Sequence, residues 1–476
     1  MRVLLLSTYE LGHQPLGLAT AAGALRLAGH EVRAVDLGLD ALQPDDLRWA
    51  DAAAVSVPMH TATRLARDVL AAIGQERPDL AVCAYGLYAA AAAGDGAFDL
   101  AVAGEYEAEL AAWVDELERS GAQRRPSSVP VKVDLGRRRM PPADRSGLAP
   151  LDRYARLLLG SEERLVGYTE ASRGCAHRCR HCPVPVVYDG RTRMVDPVQV
   201  ARDVAGLVAA GAQHITFGDP DFLNGPHHAL RVVRQLAEDH PGLTFDITAK
   251  VEHVLRHRHL WPELARCGLL FIVSAFESVN ESVLDRLAKN HTAAEAAEAV
   301  WLLRSNGIEV RPSWLPFTPW TEMDDLTDLV DFVIDNDLVD NVDPVQYAIR
   351  LLVPPGSLLL EDPDAQTIFG PYDAALLGHP WSSREPALDD LAAAVAAVAE
   401  TSADSDPALG FAAVHEVIDD FARANRQRRP KSPPAPSGRV VPRLSESWFC
   451  CAEPTCDQSS RVIALAPSPG AGSRTS

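Results

Sequence analysis

Basic charge is scarce in this chain, and so are cysteine, methionine and the aromatic residues. Its 476 residues hold 45 Lys and Arg against 65 Asp and Glu, a formal charge of −20. That balance argues against broad nucleic-acid binding, which needs a basic face to replace the counterions of phosphates. Long hydrophobic runs are missing too. The longest uncharged stretch, AVCAYGLYAAAAAG, is Ala- and Gly-rich and falls short of the roughly 18 apolar residues of a membrane span. The opening MRVLLLSTYE has too brief an apolar run for a secretory signal and reads as a buried first strand. No GxGxxG follows that strand, so a dinucleotide fingerprint is absent. These absences predict a cytoplasmic protein with no membrane partner and without broad nucleic-acid binding, a local basic patch aside. Thiols stay reduced there, so clustering among the eight cysteines points to metal or redox chemistry rather than to disulfides.

Apolar residues make up 47% of the chain, ample for sizeable cores, and the length predicts two or three domains. Over residues 1–121 the runs VLLLS, EVRAVDL, AAAVSVP, LAVCAYG and FDLAVAG alternate with helical segments. Five βα repeats predict a parallel, doubly wound, flavodoxin-like sheet, open at its strand ends to a flat ligand. Proline, arginine and small polar residues dominate 122–161, which reads as a linker. A second βα series fills 162–357, with strands at RLVGYTE, HITF, LTFDITA, LLFIVSAF, IEVRPSWL and VQYAIRLL. Its helices carry clear signals: Asp196 as N-cap, Pro197 in the first turn, and Val200, Val204, Leu207 and Val208 on one buried face. Six units predict a partial (β/α)6 barrel, an incomplete (β/α)8 fold whose chemistry lies at the C-terminal strand ends. Residues 358–425 read as a helical C-terminal region. Residues 426–476 read as a flexible tail that carries SWFCCAEPTC and ends in a disordered APSPGAGSRTS.

The stretch SRGCAHRCRHCPVP sets Cys175, Cys179 and Cys182 as Cys-x3-Cys-x2-Cys, directly after the first barrel strand. Four-thiolate clusters need four cysteines, and no fourth is nearby. A cubane with three protein ligands leaves one iron open to a substrate or cofactor. The competing reading is zinc, with His177 or His181 completing four ligands, although zinc modules normally set ligand pairs apart. A disulfide is a third.

This spacing at this place resembles the radical S-adenosylmethionine superfamily. The resemblance implies that Cys175, Cys179 and Cys182 hold a 4Fe-4S cluster whose open iron is chelated by S-adenosylmethionine. One electron then cleaves that cofactor to methionine and a 5′-deoxyadenosyl radical. The family usually has an aromatic residue before the last cysteine; here it is His181, expected to stack on adenine. In ITFGDPDFLN, Gly218 would allow close backbone approach and Asp219 would accept from the methionine ammonium; a plain Asp/Pro turn is the alternative. Glu277, at the end of the fourth strand, is expected to bind ribose hydroxyls, or else to start a helix near Asn280. Arg311, Ser313 and Tyr347 are pocket candidates.

A doubly wound domain ahead of such a barrel resembles the cobalamin-binding class of the superfamily, with the corrin across the strand ends. The axial pattern Asp-x-His-x-x-Gly is missing, since ELGHQPLG offers His13 without the aspartate. Cobalamin binding and a domain that only shapes the cavity therefore both stand. The tail Cys450-Cys451-Ala452-Glu453-Pro454 resembles the CUAEP/CCAEP-tail family, where the second position is selenocysteine in some members. That implies a catalytic role for Cys450 and Cys451, relaying an electron, a hydrogen atom or sulfur. The tail thiols could instead ligate a second cluster with Cys456 and either Cys267 or Cys83, or be inert. The expectation is an enzyme acting on an unknown small-molecule or peptide substrate. Methyl transfer through cobalamin leads, with a flavodoxin or ferredoxin as electron donor. A non-catalytic zinc- or cobalamin-binding redox sensor is the alternative.

Overall fold

In the computed structural model, residues 1–93, 98–121, 129–434 and 439–464 are described. The chain divides into two units, Met1–Arg153 with Glu453–Ser476, and Tyr154–Ala452.

The first unit runs β1 (Arg2–Ser7), α1 (Leu16–Leu27), β2 (Glu31–Asp36), α2 (Pro44–Trp49), β3 (Ala52–Ser56) and α3 (His60–Glu76). It continues through β4 (Ala81–Tyr85), α4 (Ala89–Ala92), β5 (Leu100–Gly104), α5 (Tyr106–Ser120) and β6 (Val131–Asp134). All six strands are parallel, in the order β2-β1-β3-β4-β5-β6. Strands β3, β4 and β5 are buried along their whole length, as expected where helices cover both faces of a parallel sheet. Val3, Leu5, Leu18, Leu25, Val102 and Leu110 share one core. The order reverses between β1 and β3, which opens a crevice at their C-terminal ends.

The doubly wound expectation holds, but the expected linker does not begin where composition placed it. VKVD forms the edge strand β6, with Val131 and Val133 45% and 50% exposed. So short and open a strand has no buried face to announce it. Gly104 is required beside it, because a Cβ there would lie 2.2 Å from the Asp134 carbonyl oxygen.

The second unit opens with the hairpin β7 (Arg156–Leu159) and β8 (Glu162–Thr169), so the end of the expected linker is also strand. There follow β9 (Ser172–Gly174), α6 (Pro183–Tyr188), β10 (Thr192–Met194), α7 (Pro197–Ala209), β11 (His214–Phe217), α8 (Pro226–Asp239) and β12 (Thr244–Thr248). Next come α9 (Val251–Arg256), α10 (Trp261–Arg266), β13 (Leu269–Glu277), α11 (Glu281–Arg286), α12 (Ala293–Arg304), β14 (Glu309–Trp314) and α13 (Met323–Asp335). Helices α14 (Ala365–Ile368), α15 (Pro386–Thr401) and α16 (Pro407–Ala424) and strand β15 (Arg443–Leu444) complete it, while α17 (Cys456–Ala464) belongs to the first unit. The sheet order is β14-β13-β12-β11-β8-β7-β15. Strands β8, β11, β12, β13 and β14 are parallel, β7 and β15 are antiparallel additions, and β9 and β10 form a separate antiparallel pair.

Local signals were obeyed in α7. The Asp196 side chain accepts from Val198 N, and Val200, Val204 and Leu207 are buried. The sixth expected strand is not formed. VQYAIRLL supplies a 3-10 turn, Pro344–Tyr347, and one isolated parallel bridge between Phe317 and Arg350. Pro344 fixes φ and lacks the N–H that a ladder needs. Five βα units and a vestige of the sixth make the half-barrel.

The expected flexible tail is anchored where it is described. Arg428 Nη1 lies 2.8 Å from Asp331, Lys431 Nζ 2.6 Å from Asp335 and Arg439 Nη1 3.1 Å from Glu309. β15 pairs with β7, and Ser447 Oγ donates to the Ala403 carbonyl at 2.7 Å. The expected disorder of APSPGAGSRTS lies outside the described residues. No described helix is long and apolar enough to cross a membrane.

Candidate cluster and cofactor site

The cysteine loop leaves the barrel at the end of β8, and its entry is braced before the first thiol. The buried Asp219 carboxylate accepts from Ala171 N at 2.9 Å and from Ser172 Oγ at 2.5 Å. Burial raises its carboxyl to about 7. The expected ammonium acceptor is therefore committed to holding the end of β11 against the loop entry. Its neighbour Gly218 is demanded by Tyr168, whose hydroxyl would lie 2.1 Å from an added Cβ.

Further along, Asn224 Oδ1 accepts from Ala176 N at 3.1 Å and meets Cys175 Sγ at 3.8 Å. Arg180 N donates to the Leu287 carbonyl, and the Arg180 carbonyl accepts from Ser357 Oγ at 3.0 Å. A charged contact of 3.1 Å to Asp362 completes the clamp. Cys175 and Cys179 are buried and Cys182 half-buried, all outside disulfides. Burial pushes the Cys175 and Cys182 thiols upward.

The loop histidines do not complete a zinc site on these thiols. Among the described residues, the groups whose donor atoms gather within 4.8 Å are His177, Asp221 and His253, and His30, Asp115 and Glu118. Tetrahedral zinc with sulfurs at about 2.3 Å needs thiolates about 3.8 Å apart, and the three sulfurs are not so gathered. His177 turns instead to His253, with their Nε2 atoms 3.2 Å apart. Asp221 accepts from His253 Nδ1 at 2.9 Å and from Lys250 N at 3.0 Å. Burial, aided by Lys250 and His253, lowers His177 to about 4.

His181 lies against Glu277 rather than open for stacking. Its Nε2 is 3.2 Å from Glu277 Oε1, and Lys289 Nζ donates to the same oxygen at 3.1 Å. Burial alone would raise the Glu277 carboxyl, but Lys289 and His181 outweigh it and hold it well below the carboxylate range. Burial opposes the Lys289 charge in turn, yet Glu277, Cys179 and Cys182 keep it protonated. Glu277 has φ +66, a left-handed backbone rare for non-glycine residues, at an irregularity in the pairing of β13 with β14. A residue held so at a strand end in a site is a common use of local strain.

Lys289, Lys250, His253, Asp221 and Asn224 were missed by sequence reasoning. Asp221 and Asn224 lay within the quoted turn, and Lys289 sits between two positive-φ residues, Ala288 and Asn290. Of the pocket candidates, Arg311 Nη2 contacts Asp343 at 2.6 Å, while Arg311 Nη1 and Asp343 Oδ1 are buried without partners. Ser313 is buried on the same strand. Tyr347 packs its ring on Phe411 of α16, 5.8 Å between centroids, and so belongs to the C-terminal helical core.

Cys450 and Cys451 lie in the second unit, with sulfurs 3.6 Å apart. Cys456 and Cys83 lie in the first. In that unit, buried Ser7 Oγ at the end of β1 has no partner. A Cβ on Gly17 would lie 2.8 Å from Ser56 Oγ, so small and polar groups line the crevice between β1 and β3. His13 is buried beside it, its amide donating to the Glu10 carbonyl. Glu453 is held by His60 Nε2 and Arg64 Nε, both at 2.9 Å.

Residues 169–333 match the family model described as Radical SAM superfamily. The hopanoid C-3 methylase of Methylococcus capsulatus is 23% identical over 325 residues, 64% of this chain and 62% of that protein. The chain thus spans under two thirds of that relative. Among solved structures, the cobalamin-dependent S-adenosylmethionine radical enzyme OxsB with aqua-cobalamin bound aligns with a TM-score of 0.62 and 14% identity. That alignment covers 89% of this chain and 75% of OxsB. The radical S-adenosylmethionine methyltransferase TsrM from Kitasatospora setae aligns at 0.54 and 18%, over 71% of each chain. These structural likenesses are of fold. The three-thiol loop falls within the matched segment, at the strand end where such a barrel does its chemistry. The half-barrel, over residues 169–333, is a Radical SAM domain.

Proposed function

We propose that this protein cleaves S-adenosylmethionine reductively and directs the resulting radical at an organic substrate, with methyl transfer as the net reaction. The observation that carries this is the loop: three reduced thiols, clamped by Asn224, Leu287 and Ser357, too dispersed for one metal ion. Cys175, Cys179 and Cys182 would hold a 4Fe-4S cluster, which three ligands leave open at one iron. When bound, that cluster supplies the electron for cleavage of the cofactor's carbon–sulfur bond.

The chain's own residues do the positioning. Asp219 fixes the loop entry. Lys289 sets a buried positive charge beside Cys179 and Cys182, which offsets the negative charge of a thiolate-ligated cluster. Glu277 Oε1 is taken by Lys289 and His181, and its Oε2 is left for a ribose hydroxyl. The cofactors supply the difficult chemistry.

Cobalamin would lie on the first unit, at the crevice lined by Ser7, Gly17 and Ser56. The hopanoid methylase likeness and the OxsB and TsrM folds support this. No histidine stands in an Asp-x-His-x-x-Gly pattern, so the metal would be bound without that ligand. The Cys450–Pro454 tail supports placing the chain in the CCAEP-tail family. An electron donor of the flavodoxin or ferredoxin type, and a reducing cytoplasm, complete the reading; every described cysteine is outside a disulfide.

The test is anaerobic reconstitution with iron, sulfide, reductant and S-adenosylmethionine. The reading requires 5′-deoxyadenosine, and loss of both cluster absorbance and product in Cys179→Ala. Stoichiometric zinc without cleavage would overturn it. A corrinoid that copurifies supports the cobalamin assignment; no corrinoid uptake at saturating hydroxocobalamin removes it.

A further inference from the structure

Two imidazoles meet beside the cysteine loop without using its thiols. His177 Nε2, on the loop, lies 3.2 Å from His253 Nε2, on α9. Nitrogens bound to one ion at about 2.0–2.1 Å stand about 2.9 Å apart at a right angle and about 3.3 Å apart at the tetrahedral angle. The observed separation falls between the two. Each ring also turns its other nitrogen toward a carboxylate. His253 Nδ1 donates to Asp221 Oδ1 at 2.9 Å, which leaves the lone pair on Nε2. His177 Nδ1 lies 3.7 Å from Glu252 Oε2. A carboxylate behind the ring is the common support of a metal-bound histidine, fixing its tautomer and orientation. Asp221 is itself held by Leu223 N and Lys250 N, at 2.9 and 3.0 Å, and its Oδ2 lies 3.9 Å from His177 Nε2. The nearby positive charge, Lys250 Nζ, is tied to Glu252 at 3.3 Å. Asp221 and His253 are buried, and half-buried His177 gives an ion its way in.

We propose that His177, His253 and Asp221 form a mononuclear site for a divalent transition-metal ion, separate from the three thiols. Donor atoms of these three residues all lie within 4.8 Å of one another. Two imidazoles and a carboxylate suit an ion of the zinc, cobalt(II) or iron(II) kind and do not suit magnesium or calcium, which take oxygen ligands. The imidazoles supply the nitrogen ligands, and Asp221 orients His253 and supplies the negative charge. The consequence is mechanical. An ion here ties the loop between Cys175 and Cys179 to α9, joining segments 76 residues apart. It would fix one side of the loop, while Asn224 and Leu287 hold Ala176 and Arg180. The site stands apart from the proposed reaction, because it needs neither the cluster nor S-adenosylmethionine.

Two measurements test this, both on the full-length chain freed of metal by dialysis against a chelator. In the first, cobalt(II) is titrated in without oxygen. One ion per chain should bind with a visible spectrum that lacks the intense ultraviolet sulfur-to-cobalt band. Cobalt on the loop thiols carries that band and is lost in Cys179→Ala, where the histidine-bound ion should persist. His253→Ala should abolish that ion, and Asp221→Asn should weaken it by about 10–100-fold, the cost of losing the carboxylate behind a ligand. His257→Ala and His259→Ala, changes to the neighbouring histidines, should leave it in place. The absence of any sulfur-free cobalt would overturn the site and leave the two imidazoles sharing a hydrogen bond alone. Binding that survives His253→Ala, or that follows His257 and His259 instead, would overturn it too. In the second, trypsin is given the wild-type chain, whose Arg178 is exposed on the loop. Cobalt at ten times its Kd should slow cleavage after Arg178 by about tenfold, as for an ion that binds only the docked loop. An unchanged rate would overturn the tie between loop and α9. Neither measurement uses S-adenosylmethionine, so a failure here is separate from a failure of the cleavage assay.

Discussion

Lys289 Nζ and His181 Nε2 converge on a single oxygen of Glu277, at 3.1 and 3.2 Å, inside the wall that faces the cysteine loop. The carboxylate lies on a strand end and the cation beyond the following helix, so the pair fastens α11 to the sheet. Removing one partner strands a buried charge. Lys289→Met should therefore destabilise the apo protein by about 3–5 kcal/mol, whereas Glu277→Gln with Lys289→Met should recover much of that loss. Urea unfolding followed by near-ultraviolet circular dichroism measures both. A double-variant loss equal to the sum of the Lys289→Met and Glu277→Gln losses would show that the pair is not coupled.

Asp219 makes stability depend on pH in an unusual direction. Its carboxyl is raised to about 7 by burial, whereas an unfolded aspartate titrates near 3.9. Between those values the folded protein keeps a proton that the unfolded chain has lost. Unfolding then releases a proton, so this group's contribution falls as pH rises from about 4 to about 7. The change has an upper limit of about 4 kcal/mol. Asp219→Asn cannot ionise and should flatten the slope over that window in urea midpoints. An identical slope in the variant would assign the dependence to other groups.

Gly218→Ala should cost about 1–3 kcal/mol through overpacking, because its Cβ would meet the Tyr168 ring and hydroxyl at 2.1–3.0 Å. Combining it with Tyr168→Ala should return a large part of the loss relative to Tyr168→Ala alone, a coupling that thermal melts of the four proteins resolve. Additive losses would mean that Gly218 is needed for its backbone and not for the space above it.

The parts legible in the sequence were those encoded within a few residues of one another. Cys175, Cys179 and Cys182 share one loop, and α7 carries its own cap and buried stripe, so both were read from spacing alone. The site around them is assembled from distant pieces. His253 is 76 positions from His177, and Lys289 is 12 beyond Glu277 across a helix; no local pattern marks such pairs. Misreadings have the same origin. VKVD looked like linker because an exposed edge strand lacks a buried face, and VQYAIRLL looked like a strand because an apolar run also suits a turn packed under α15 and α16. The tail looked flexible because its anchors, Asp331, Asp335, Glu309 and Ala403, lie far upstream.

The glutamate of the CCAEP segment yields a prediction confined to the first unit. Burial works against the Glu453 charge, but His60 and Arg64 hold its carboxyl below the usual range. The side chain is partly exposed, so each contact is worth about 0–1 kcal/mol rather than the value for a buried pair. Global stability should barely change when it is removed. What should change is local opening, since a segment held by few contacts exchanges between docked and released forms at low cost. Glu453→Ala should thus hasten limited proteolysis after α17 begins, by a few-fold on the same energy scale. Arg64→Ala should act through the same contact, so the double variant should be cleaved no faster than Glu453→Ala. Rates that multiply in the double variant would mean that Arg64 holds something other than Glu453, and would remove this contact as the anchor of the segment.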